Sequence, residues 1–172
     1  MRTYLGAGAA LAVLACGGSQ SAGGDGGSGA PAATSAAVAG APKVSESYQG
    51  VINDAWAEAV AGEYPGNTCA ALSGRTLRVF RGQDEAAKAE AREAMEACGV
   101  AAGSRYYLTL LDKIEQGERT CQNLIFESAK IGALLISVGE EGTPEHEGRR
   151  GRLVEAISGR VEEVCPGMAR VL

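Results

Sequence analysis

From Val44 to Met168 the apolar residues recur at spacings of three and four, and no stretch alternates with period two. That pattern gives each segment one apolar stripe on a helix and offers no half-buried strand. The chain therefore reads as all-α, an up-and-down helical bundle of about five to six helices.

The stripes and their end signals set the order. Val44, Tyr48, Val51, Ile52, Ala55, Trp56, Ala59 and Val60 form the first, closed by Gly62 and Pro65. A second follows Asn67 or Thr68 as N-cap and turns Cys69, Leu72, Thr76, Val79 and Phe80 inward until Gly82. Asp84 caps a third, with Ala87, Ala91, Ala94, Met95 and Cys98 inside and Gly99 as its stop. Ser104 opens a fourth, carrying Tyr107, Leu110, Leu111 and Ile114. The fifth runs from Cys121 through Leu124, Ile125, Gly132, Leu135 and Ile136 to Gly139. Pro144 starts the sixth, which buries Leu153, Val154, Ile157, Val161, Val164 and Met168. Phase is kept from Ile114 past Gly117 to Cys121, and an interior glycine costs only about 1 kcal/mol, so the fourth and fifth either part at Gly117 or, as the phase favours, join as one long helix.

The N-terminus carries a different signal. Arg2 is followed by an apolar stretch from Leu5 to Ala15, too short for a retained membrane span, and then by Cys16-Gly17-Gly18-Ser19. Val13-Leu14-Ala15-Cys16 resembles the lipobox of bacterial lipoproteins, with valine where leucine is usual and leucine where a small residue is usual. The resemblance implies that residues 1–15 are a signal peptide and that Cys16 is lipidated and becomes the mature N-terminus. Gly17, in place of the aspartate that retains many such proteins at the inner membrane, implies the outer membrane, facing the periplasm or the surface. The alternative is ordinary signal cleavage that leaves a free thiol. Residues 16–42 are mostly Gly, Ala and Ser, with no aromatic side chain and only Asp25 charged. They cannot bury enough surface to offset their ordering entropy. As a coil they reach roughly 25–30 Å, a tether for a helical domain at 43–172.

The four remaining cysteines are an even set in an exported chain, which predicts two disulfides. Cys69 and Cys98 are nearly equidistant from the turn near Gln83, and Cys121 and Cys165 from the connection around Glu141 to Pro144. In antiparallel helix pairs those positions meet. Any other pairing joins points something like 20 Å apart along the bundle, whereas a disulfide needs Cα atoms within about 7 Å. The expected bridges are Cys69–Cys98 and Cys121–Cys165. A Cys₄ zinc site fits poorly, because no two of these cysteines are close in sequence.

Chemistry is sparse. The formal net charge is −5, and removal of Arg2 with the signal peptide makes it more negative. Without a basic run interleaved with aromatics there is no nucleic-acid surface. Arg149, Arg150 and Arg152 stand beside Glu145, Glu147 and Glu155 and read as a solvated helix start. The single histidine, His146, lies with Glu140, Glu141, Glu145 and Glu147 in an acidic connection. That segment lacks the ligand spacing of a cation loop and reads as solvated. Ser158 has no histidine in register, and neither a G-x-S-x-G turn, an H-E-x-x-H helix nor a phosphate-binding glycine loop occurs. No catalytic residue, metal site or cofactor is assigned.

Aromatic residues gather at Tyr48, Trp56 and Tyr64 and at Tyr106 and Tyr107. Adjacent tyrosines on one helix cannot both face one core centre, so one of the latter pair is expected to be half-exposed. The fifth helix is apolar nearly all round (Ile125, Phe126, Ile131, Ala133, Leu134, Leu135, Ile136), which marks it as the central, most buried element. The expected function is a non-enzymatic envelope lipoprotein, held to the membrane by its lipid, whose helical module binds or spaces an envelope protein. The alternative is a binder of a small apolar or lipid ligand in alanine-lined space between the third and fifth helices.

Overall fold

The computed structural model describes residues 39–138 and 141–170. The expected signal peptide, Cys16 as the expected lipidation site and nearly all of the expected tether lie outside those residues. Among the described residues every regular element is helical: α1 (Glu46–Ala61), α2 (Gly66–Phe80), α3 (Glu85–Glu96), a π-helical segment (Ala97–Ala102), α4 (Gly103–Glu115), α5 (Cys121–Ser137) and α6 (Pro144–Val164). The fold is an up-and-down bundle stapled by two disulfides.

Local chemistry explains most of the ends. At the start of α1 the Gln49 side chain accepts from Val44 N and donates to Pro42 O, each at 3.0 Å. Gly62 closes α1 in the left-handed region (φ 77°), and Glu63 N returns to Glu58 O at 2.8 Å. α2 starts at Gly66, ahead of Asn67 and Thr68, with Pro65 as its N-cap. Thr68 is not the cap because its hydroxyl donates across to Glu58 Oε1 at 2.8 Å, tying α2 to α1. Asp84 caps α3 as expected, accepting from Ala87 N at 3.0 Å. Thr143 caps α6, with Pro144 in the first turn.

Two joints fall elsewhere than the sequence predicts. Gly99 does not end a helix: α3, the π segment and α4 form one continuous rod, helical in backbone at Ala97, Ala102 and Gly103. The glycines there serve close approach rather than termination. A Cβ on Gly99 would stand 3.0 Å from Val138 Cγ2, and one on Gly103 2.8 Å from Leu134 Cδ2. The wider π turn accommodates an extra residue, so the apolar phase changes there and imitates a break. The true break is at Gly117, where continuity was expected. Its φ is 77°, and Glu118 N reaches back to Lys113 O at 2.9 Å. Asn123 then accepts from Thr120 N at 2.8 Å to start α5.

The rod, not α5, is the centre of the core. Ala91, Ala94, Cys98, Ala102, Tyr107 and Leu111 are fully buried along it, and α1, α2 and α6 pack around it. Both expected disulfides are present: Cys69–Cys98 joins α2 to the π segment, and Cys121–Cys165 joins the start of α5 to the end of α6. Closing 29 and 44 residues, each stabilises the fold by about 3–4 kcal/mol in the chain-entropy treatment.

Candidate functional site

Three tyrosines decide how α5 sits. Tyr106 donates to the Glu127 carboxylate, Tyr107 to the Glu127 carbonyl at 2.5 Å, and Tyr64 to the Lys130 carbonyl at 2.9 Å. Their rings meet edge to face, with centroids 5.7 Å apart for Tyr64 and Tyr106 and 5.1 Å for Tyr106 and Tyr107. Gly66 leaves room for this, since a Cβ there would strike the Tyr64 ring. Burial first, and then the Glu127 charge, push the Tyr64 hydroxyl up to about 12. Tyr106 is raised further by burial and its bond to Glu127, and Tyr107 by burial and its tyrosine neighbours. The expectation that one of Tyr106 and Tyr107 is half-exposed fails: both are buried, because both hydroxyls find partners on α5.

The clamp engages one side of α5. Leu124, Ile131, Leu134 and Leu135 face the core, while Ile125, Phe126 and Ile136 are 46%, 74% and 46% exposed. At 100° per residue these three share a face with Ala129 and Ala133, both exposed. This face runs about 16 Å without a charge. The only ionised side chains of α5, Glu127 and Lys130, pair with each other at 2.8 Å beside the tyrosines. The helix expected to be most buried therefore lies at the edge of the bundle, with an apolar stripe turned outward.

A cleft of about 440 Å³ opens between α2, α3 and the beginning of α6. Leu77, Phe80 and Met95 supply apolar wall; Ser73, Thr76, Arg92, Glu145 and Arg149 supply polar groups. Arg92 lies over the Phe80 ring, 5.8 Å from its centroid. Arg149 is only 6% exposed, and its Nε has no hydrogen-bond partner. Glu96, the carboxylate closest in effect, is held by Arg152 in a two-pronged pair at 2.6 Å and 2.6 Å. Burial draws the Arg149 pKa down, with Glu96 opposing that, Arg152 adding to it and Glu145 opposing it more weakly.

Two expectations for this region are corrected. Arg149 is buried, not part of a solvated helix start, and His146 is 4% exposed, not solvated. The signal was legible: continuing the α6 stripe backward from Val161, Ile157 and Leu153 in steps of four reaches Arg149, and one turn earlier His146. Among the described residues no three His, Cys, Asp or Glu side chains converge as a metal site. The four cysteines of the domain are bonded in pairs, and Cys16 lies outside the described residues. The chain matches no protein-family model, no curated protein and no solved structure.

Proposed function

We propose that this chain is a non-enzymatic cell-envelope lipoprotein, anchored through lipid on Cys16 at the outer membrane, whose helical domain engages an envelope protein through the outer face of α5. The observation that carries the reading is the outward stripe of Ile125, Phe126 and Ile136 on a helix fixed from behind by three tyrosine hydroxyls. Large aromatic and aliphatic groups on a rigid backbone lose little entropy on binding, which is what a docking face needs. The occupant is a protein surface that is itself apolar and uncharged, since the stripe offers no ion pair. A chain of net charge −5 is repelled by anionic headgroups, and the stripe carries no cation to offset that.

The test is a photo-crosslinking residue at position 126 of the full chain in its native envelope, with position 75 on exposed α2 as control. One recurrent protein adduct at 126, absent at 75 and lost with Ile125→Asn plus Ile136→Asn, is the expected result. Adducts to lipid alone, or the same adducts at both positions, overturn the protein-docking reading. The anchor is tested separately: Cys16→Ser should leave the membrane fraction, and unchanged fractionation refutes it.

A further inference from the structure

We propose that the cleft between α2, α3 and the start of α6 binds a small monocarboxylate with an apolar tail, and that Arg149 is the counter-ion of its carboxylate. The cleft is separate from the outer face of α5 and stands whether or not that face engages a partner. It also lies away from the space between the third and fifth helices where a ligand was expected.

A guanidinium removed from water without a partner is strongly disfavoured. Arg149 meets that cost at its Nε, which is buried without a hydrogen-bond partner, while the residue, 6% exposed, lines an open volume rather than a packed wall. Among the described residues no acid forms an ion pair with Arg149. Glu96 is taken by Arg152 on both oxygens, and Glu96 and Glu145 act on Arg149 only through space. An anion entering from solvent would complete the site.

The rest of the lining narrows the chemistry. Leu77, Phe80 and Met95 form a continuous apolar wall, and Leu77 stays 45% exposed with nothing covering it. A free inorganic anion would leave that wall wet; an apolar tail would cover it. Glu145, also in the lining, repels a dianion such as a phosphate monoester more than a monoanion. A planar carboxylate matches the guanidinium fork. Arg92, resting over Phe80 at the cleft, adds a second positive group along the approach.

The experiment titrates sodium octanoate into the full-length chain bearing Cys16→Ser, so that no detergent competes, with octanol as the uncharged comparator. Saturable single-site binding of octanoate is expected, with octanol about tenfold weaker or worse, the worth of one charge-assisted contact. Arg149→Met should lose octanoate binding by a similar factor while keeping its helical circular dichroism. Leu77→Gln, an exposed position that leaves the fold intact, should weaken octanoate severalfold and carries the test should Arg149→Met not fold. Equal affinity for octanoate and octanol, no saturable octanoate binding, or octanoate affinity unchanged in the variants would overturn the proposal.

Discussion

Arg152 grips both carboxylate oxygens of Glu96 at 2.6 Å, which leaves that acid to act on Arg149, one turn away on α6, only through space. The two arginines thus have opposite energetics. Arg152 pairs at the surface, where its side chain is 53% exposed, and such pairs contribute little. Arg149 is buried, and among the described residues it makes no ion pair and its Nε has no hydrogen-bond partner. Replacing an unpaired buried cation with an apolar chain of similar length removes a desolvation cost. Arg149→Met should therefore raise ligand-free stability by about 1–3 kcal/mol, seen as a higher urea midpoint, whereas Arg152→Ala should lower it by less than about 1 kcal/mol. A destabilised Arg149→Met would mean that the guanidinium has support within the fold.

The Cys121–Cys165 bridge fixes the start of α5, ahead of the tyrosine contacts at Glu127 and Lys130. Changing both cysteines to alanine should cost about 3–4 kcal/mol in global stability. The loss should be uneven: hydrogen exchange should quicken most at the start of α5, with α2 and α3 kept in place by Cys69–Cys98. Uniform loss of protection would show that α5 is not a separable edge. Peptide mapping under non-reducing conditions checks the pairing itself, and a Cys69–Cys165 peptide would refute the topology.

The cystine pairing was legible because it depends only on distances along the chain from two turns, and those distances do not change if a helix boundary moves. The helix boundaries at Gly99 and Gly117 were not. Gly99 looks like a stop in sequence but is set by contact with Val138, far along the chain, whereas Gly117, where helical phase continues, breaks the helix through its own left-handed φ. The orientation of α5 was hidden for a related reason. With apolar residues on every side, its composition cannot say which face turns inward; Tyr64, in the connection between α1 and α2, and Tyr106 and Tyr107, on α4, decide it. Arg149 is the opposite case. Its place on the α6 stripe was readable, but its charge and acidic neighbours masked the periodicity.

The tyrosine clamp predicts an alkaline transition. In the unfolded chain a tyrosine ionises near its ordinary value of 10.0, while folding holds Tyr64 to about 12 and raises Tyr106 and Tyr107 as well. The folded state therefore keeps its phenolic protons after the unfolded state has begun to lose them. The clamp's contribution is fully present below pH 10, declines as pH rises past 10, and is gone above the folded pKa. Urea midpoints should be flat with respect to these groups below pH 10 and fall between pH 10 and about 12. Absorbance near 295 nm should show phenolate appearing together with unfolding; titration of all the tyrosines near 10 in still-folded protein would rule the clamp out.

Gly103 and Gly159 test whether the rod's close approach to α5 is what keeps glycine in it. Both have helical neighbours, so alanine is favoured at each by backbone entropy, up to about 1 kcal/mol. Space separates them. A Cβ at Gly159 meets nothing within 4 Å, while one at Gly103 comes to 2.8 Å from Leu134 Cδ2 and 3.4 Å from Leu153 Cδ1. Leu134 and Leu153 are both fully buried, so neither can swing into solvent to make room. Gly159→Ala should stabilise by about 0.5–1 kcal/mol, and Gly103→Ala should destabilise by about 1–2 kcal/mol through overpacking. Displacement of Leu134 would be transmitted to the tyrosine-held side of α5, so Gly103→Ala should also quicken amide exchange along α5. Equal gains from the two substitutions would mean that α5 is not pressed against the rod as tightly as Leu134 indicates.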